Sequence, residues 1–293
     1  MKITVETPVQ PPFRLEYGLA YFRRFPAAFV ERTDDGAYTR ALDSESALRV
    51  EAGGSDAAPV LRVTAWRADG HRPTEAAVAD AVRTARRVFA ADDPIAPAPG
   101  DPVLAELAAR WPGLRPARFA DPFECLCWAI VGQQITVAFA ARLKRTLLER
   151  YGHQGPDGLP LFPGPADLAA ADPEELRAAQ FSRQKIRYLL AAAADPPDWE
   201  AIARLPTEGA LAALMALPGV GRWTAEYVLM RALAFRDAIP AGDAGLKRAV
   251  GAAYGLGRHA TETEVRARAD AWPGFQAYAA FHWWYALQQG VLR

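Results

Sequence analysis

Hydrophobic and polar positions change their period near residue 100. Before it, short runs rich in Val, Tyr and Thr lie at 29–32, 37–42, 48–51 and 60–66, separated by Asp34-Asp35-Gly36 and Gly53-Gly54. This pattern predicts hairpin-linked antiparallel strands. Residues 74–91 switch to helical spacing, with Ala77, Val78, Ala81, Val82, Ala85 and Phe89 on one face, and 17–25 predicts a shorter helix leading into the sheet. A stretch with four prolines, from Asp92 to Pro102, marks a boundary.

After Pro102 the chain reads as almost wholly helical. Residues 103–110 come first, and Asp121-Pro122 then opens a helix with an apolar face of Phe123, Leu126, Cys127, Ile130 and Val131. Gly132-Gln133-Gln134 breaks it, a helix over 136–150 follows, and Tyr151-Gly152 stops that one. A Pro/Gly-rich loop at 155–164 precedes helices predicted at 165–171, 172–179 and 182–194, each opened by a capping residue, a proline or an acidic first turn. Further helices are expected over 207–216, 222–234, from about Ala244, and over 263–272 and 278–289. The fold class is therefore mainly α with an N-terminal α+β unit: an antiparallel-sheet domain over 1–100, then a helical region over 101–293.

Composition narrows the function classes. With 293 residues and 51% apolar content the chain can bury a sizeable core, no apolar run approaches the roughly 20 residues of a membrane span, and the N-terminus lacks the apolar core of a signal peptide. A cytoplasmic protein without a membrane partner is expected. Two cysteines, Cys125 and Cys127, exclude a disulfide framework and a four-cysteine iron–sulfur cluster. His71, His153, His259 and His282 are scattered without ligand-like spacing, so no metal and no cofactor is expected. Lys+Arg and Asp+Glu are both 34, which is not the balance of a protein that binds nucleic acid by bulk charge. Backbone amides and a local arginine face would have to serve instead.

Most of the candidate chemistry lies between Leu217 and Lys247. Leu217-Pro218-Gly219-Val220-Gly221 ends one predicted helix, and Arg222 begins the next, giving helix, tight hairpin, helix over about 207–234. Such a hairpin directs unpaired N–H groups outward at the positive end of a helix dipole, which suits a phosphate of a nucleic-acid backbone. Read by itself, it is equally a plain interhelical turn. Trp223 and Tyr227 lie one helical turn apart and share a face. Asp243, ahead of the helix from Ala244, reads on spacing alone first as an N-cap.

These residues together resemble the helix-hairpin-helix DNA glycosylase superfamily, which carries a Leu-Pro-Gly-(Val/Ile)-Gly hairpin and, after the next helix, a catalytic aspartate. The segment Phe123 to Thr136, with Ile130-Val131-Gly132-Gln133-Gln134-Ile135, is separately similar to the Ile-Leu-(Gly/Ser)-Gln-Gln-(Ile/Val)-Ser element of its alkylbase glycosylases, and the likeness is closest to the DNA-3-methyladenine glycosylase II type. The run 181–185 also resembles family positions, with Phe181 in place of a usual glycine.

The resemblance implies Asp243 as the catalytic carboxylate, Trp223, Tyr227 and Trp284 as the base pocket, and Gln133, Gln134, Gly219, Gly221 and Arg222 as DNA contacts. Gln134 would fill the gap left by an extruded nucleotide. The partner implied is double-stranded DNA with damaged bases, bound by a nucleoid-associated monomer. Bifunctional members place a lysine where this chain has Trp223, so a monofunctional enzyme that hydrolyses the N-glycosidic bond of alkylated bases in base excision repair is expected. Its rivals are a bifunctional oxidised-base glycosylase/lyase and a non-catalytic helix-hairpin-helix DNA-binding protein.

Overall fold

The first seven residues after Met1 already form a strand. In the computed structural model, which describes residues 1–24 and 30–292, β1 (Lys2–Pro8) is followed by α1 (Leu15–Arg23), β2 (Tyr38–Ala41), β3 (Ser46–Ser55), β4 (Ala58–Arg67) and α2 (Glu75–Val88). The four strands make one antiparallel sheet in the order β1-β4-β3-β2. β1 pairs along its whole length with β4, from Lys2 opposite Trp66 to Pro8 opposite Val60. Its alternation of Ile3, Val5 and Thr7 with polar neighbours is the period-2 signal of a strand, and β1 adds to the strands expected from the sequence.

The sheet corrects one expected turn. Gly53 and Gly54 lie within the ladder, Gly54 opposite Pro59, and the chain reverses at Asp56-Ala57. Gly54 has φ +73°, and a Cβ there would lie 2.2 Å from the Ala58 carbonyl. The glycines therefore permit close backbone approach inside the strand rather than the turn itself. The strand expected at 29–32 is reduced to a single bridge between Arg32 and Thr39, and its first residue, Phe29, lies outside the described residues, as does Phe25 at the end of the first expected helix.

The helical part follows as α3 (Pro102–Arg110), α4 (Pro122–Gly132), α5 (Val137–Tyr151), β5 (His153–Gln154), β6 (Pro160–Leu161), α6 (Pro165–Ala169), α7 (Pro173–Ala178) and α8 (Arg183–Ala194), then α9 (Trp199–Ala203), α10 (Thr207–Met215), α11 (Arg222–Arg231), α12 (Ala244–Ala253), α13 (Glu262–Ala269) and α14 (Gln276–Gln288). Asp101, Asp121, Thr136, Ser182 and Asp243 each accept a backbone N–H of their own first turn, whereas Thr207, expected to cap its helix, lies inside it after Pro206 and donates its hydroxyl to Asp237 at 2.6 Å. α9, of five residues, and the β5–β6 hairpin, of two-residue strands, were not expected, because neither is long enough to repeat its period.

α4 is the central helix. Every side-chain position from Phe123 to Val131 is buried, and it packs against α5, α8 and α11. Glu124 on this helix is fully buried and is held by Lys144 of α5 and, at 2.7 Å, by Arg40 of β2, whose other branch reaches Glu31 at 2.7 Å. Two carboxylates and two cations thus neutralise one another where sheet and helices meet.

Candidate active site

Three segments meet on one side of α4: the break after it, the α10–α11 hairpin, and the start of α12 with α14 behind. At the break, Gln133 leaves the helix with φ −58° and ψ 127°, and Gln134 adopts φ +58°. The two glutamines then part. Gln133 donates its amide N–H to the Gly219 carbonyl at 3.0 Å and to Thr224 Oγ1 at 3.1 Å, tying the break to the hairpin. Gln134 is exposed. Lys185 of α8 donates to the carbonyls of Gln133 at 2.6 Å and Ile130 at 3.3 Å, closing the C-terminus of α4. Sequence reasoning missed this lysine, since its partners lie far away along the chain.

In the hairpin, the two glycines do different work. Gly219 has φ +78°, and a Cβ there would lie 2.1 Å from the ring of Tyr188, so the turn packs directly on α8. Gly221 is exposed, has φ −85°, and is the N-cap of α11 without a side chain to cap it. The first-turn N–H groups of α11 are thereby left to an external acceptor. Arg222 is half exposed and bonds Glu226 Oε1 through Nε at 2.9 Å, while Arg266 of α13 holds the same carboxylate at 2.8 Å. Exposed Arg187 lies 5.1 Å from the Tyr188 ring centroid, and Arg183, also exposed, precedes it by one turn of α8.

The aromatic residues form a connected wall. Trp223 and Tyr227 have ring centroids 5.7 Å apart at 33°, Tyr227 and Trp284 are 6.4 Å apart at 56°, and Phe281 meets Trp284 edge-on at 5.6 Å. Trp223 and Tyr227 are too close to sandwich a base, which needs roughly twice the 3.5–4.0 Å contact distance between carbon atoms. Together they can offer a base only one face. Burial drives the Tyr227 phenol well above its ordinary pKa, so the ring stays neutral.

Asp243 meets this wall through Trp284. The indole Nε1 donates to Asp243 Oδ1 at 3.0 Å, and the same oxygen accepts the Leu246 N–H at 2.9 Å as the N-cap of α12. Cap and tether fall on one oxygen, and Oδ2 has no hydrogen bond among the described residues. A Cβ at Gly245 would lie 2.9 Å from Asp243 Oδ1 and 3.4 Å from Trp284 Nε1, so the bare glycine leaves the indole its approach.

A carboxylate with one oxygen unbonded among the described residues thus stands beside a neutral aromatic wall, with an uncapped glycine hairpin on the same side of α4. Residues 127–274 match the model of the HhH-GPD superfamily base excision DNA repair proteins, and the chain belongs to that family. It is 32% identical over 201 residues to the DNA-3-methyladenine glycosylase of Bacillus subtilis, the match covering 65% of each chain. Over 281 residues it is 29% identical to DNA-3-methyladenine glycosylase 2 of Escherichia coli, covering 94% of this chain and 95% of that one. The fold is also that of a 3-methyladenine DNA-glycosylase from Archaeoglobus fulgidus, with a TM-score of 0.79, 23% identity and coverage of 97% of this chain and 98% of that one.

Proposed function

We propose that this chain is a monofunctional DNA glycosylase that releases alkylated bases of the 3-methyladenine type from double-stranded DNA. The observation that carries the reading is the Asp243 carboxylate, fixed through Oδ1 by Trp284 and by its own helix, with Oδ2 open beside the aromatic wall. Its relatives in Bacillus subtilis and Escherichia coli bear that activity in their names.

The chemistry follows from the charge of the substrate. A base alkylated on a ring nitrogen is cationic, so the C1′–N bond can break with its electron pair going to the base, which leaves neutral and needs no strong general acid. The wall of Trp223, Tyr227 and Trp284 suits the cation, each ring contributing roughly 0.5–2 kcal/mol when desolvated. Asp243 stabilises the positive charge that develops on the sugar and takes the proton of the water that adds to C1′.

Extrusion is served by Gln134, the exposed residue of the break, and phosphate grip by the N–H groups around Gly219 and Gly221, with Arg222 beside them. Gln133 acts at one remove, by bracing the hairpin. A lysine nucleophile is missing from position 223, where Trp223 stands, so the product is an abasic site on an intact strand. The sheet unit over 1–100 and the helical region over 101–293 serve as the two domains of this enzyme.

The test is direct. DNA methylated with dimethyl sulfate is incubated with the protein and the supernatant analysed for free bases. Release of methylated purine without strand cleavage supports the reading. Strand cleavage with borohydride-trapped adduct, or tight binding to abasic DNA with no base released, overturns it.

A further inference from the structure

Behind the aromatic wall lies a fully buried arginine whose partners among the described residues include no carboxylate. Arg231, the last residue of α11, has no exposed surface. Its guanidinium lies 4.1 Å from the ring centroid of Tyr21, 5.1 Å from Phe281, 5.3 Å from Phe119 and 5.5 Å from Tyr227. Nε donates to the Ala117 carbonyl at 2.7 Å, and Nη1 donates to Tyr21 Oη at 2.6 Å and to Tyr227 Oη at 3.2 Å. Burial alone would lower its pKa, but the neighbouring phenols outweigh burial, and the group stays charged.

A second donor reaches the same phenol from another helix. Trp128 Nε1, on α4, donates to Tyr227 Oη at 3.1 Å, and Tyr21 Oη of α1 lies 3.4 Å from it. A phenol oxygen has two lone pairs and one hydrogen. Trp128 and Arg231 take both lone pairs, so the Tyr227 hydrogen points to Tyr21. The hydroxyl of Tyr227 is spent inside the protein, which leaves the ring, beside Trp223 and Trp284, as the part able to meet a base.

We propose that Trp128, Arg231 and Tyr21 form a positioning network that locks Tyr227 through its hydroxyl, so that Tyr227 reads the extruded base by its π face and makes no hydrogen bond to it. The inference rests on the proposed glycosylase reading and extends it. Because Trp128 lies on the helix that ends at Gln133 and Gln134, the network also joins the pocket wall to the element that fills the DNA gap. Trp128 and Tyr21 are positioning residues, acting on the base through Tyr227.

A double-mutant cycle under single-turnover conditions tests this, with enzyme in excess over dimethyl-sulfate-methylated DNA and release of methylated purine as the readout. Trp128→Phe keeps a ring and removes the donor, and Tyr227→Phe keeps the wall and removes its anchor. Trp128→Phe should slow release about five-fold, the rate equivalent of one hydrogen bond, and Tyr227→Phe, which removes the contacts to Trp128, Arg231 and Tyr21 together, by at least as much. The double variant should be no slower than Tyr227→Phe, because that variant already lacks the contact to Trp128. Affinity for an abasic duplex should not move in any of them.

Single losses that multiply in the double variant would overturn the network, as would a Trp128→Phe enzyme as fast as the unaltered one. Should Trp128→Phe not fold, Tyr21→Phe replaces it in the same cycle, with the same non-multiplying loss expected and a multiplying or absent loss contradicting. Failure of the unaltered protein to release any base would instead strike at the function itself.

Discussion

Trp284 donates its indole N–H to Asp243 Oδ1 at 3.0 Å, across 41 residues of sequence. This bond joins α14 to the start of α12 and places an aromatic ring against the carboxylate assigned to the chemistry. Trp284→Phe keeps the ring and breaks the bond. The expected result is a fall in the base-release rate of about ten-fold or more, as for loss of a charge-assisted hydrogen bond, with little change in affinity for abasic DNA. Measured single-turnover rates at saturating enzyme decide it, and an unchanged rate would show that Asp243 is held well enough by its own helix.

The two hairpin glycines should respond in opposite ways. Gly219→Ala places a Cβ 2.1 Å from Tyr188 carbon and forces a side chain into φ +78°, so a loss of about 3 kcal/mol in stability is expected from strain and overpacking together. Gly221→Ala meets nothing within 4 Å and should leave the melting temperature nearly unchanged. Thermal unfolding of both variants checks the difference, and equal destabilisation would contradict the geometry.

Much of this site was legible in the sequence because its parts are local. The Gly219–Gly221 hairpin, the helix break at Gln133–Gln134, the i,i+4 pair Trp223 and Tyr227, and the cap at Asp243 are each set by neighbours within a turn or two of chain. What joins them is not local. The Gln133 bond to Gly219, the Lys185 clasp on the end of α4 and the Trp128 donor to Tyr227 depend on how helices pack, and an apolar periodicity cannot distinguish a tryptophan that fills space from one whose N–H has a partner. The same limit explains the sheet: the alternation along β3 and β4 was visible, whereas the paired glycines inside β3 mimic a turn until the register is known.

A pH effect on stability should come from His282. Burial holds its imidazole down at about 4 against an ordinary 6.5, and Nδ1 donates to the Tyr278 carbonyl at 2.8 Å, so the native ring is neutral. The unfolded chain takes up a proton as pH falls below about 6.5 while the native state does not, so stability is full above that value and declines toward pH 4. The contribution is about 2–3 kcal/mol between pH 7.5 and 4.5. Urea unfolding at the two values, with His282→Gln beside the unaltered chain, isolates it; an equal pH dependence in both would assign the effect elsewhere.

The central claim is that Asp243 supports cleavage of the glycosidic bond. Single-turnover release of methylated purine from dimethyl-sulfate-treated DNA should be at least about a hundred-fold slower in Asp243→Asn, since the amide keeps the shape and the cap but not the charge, while binding to an abasic duplex persists. Release by Asp243→Asn at the rate of the unaltered protein would contradict the account.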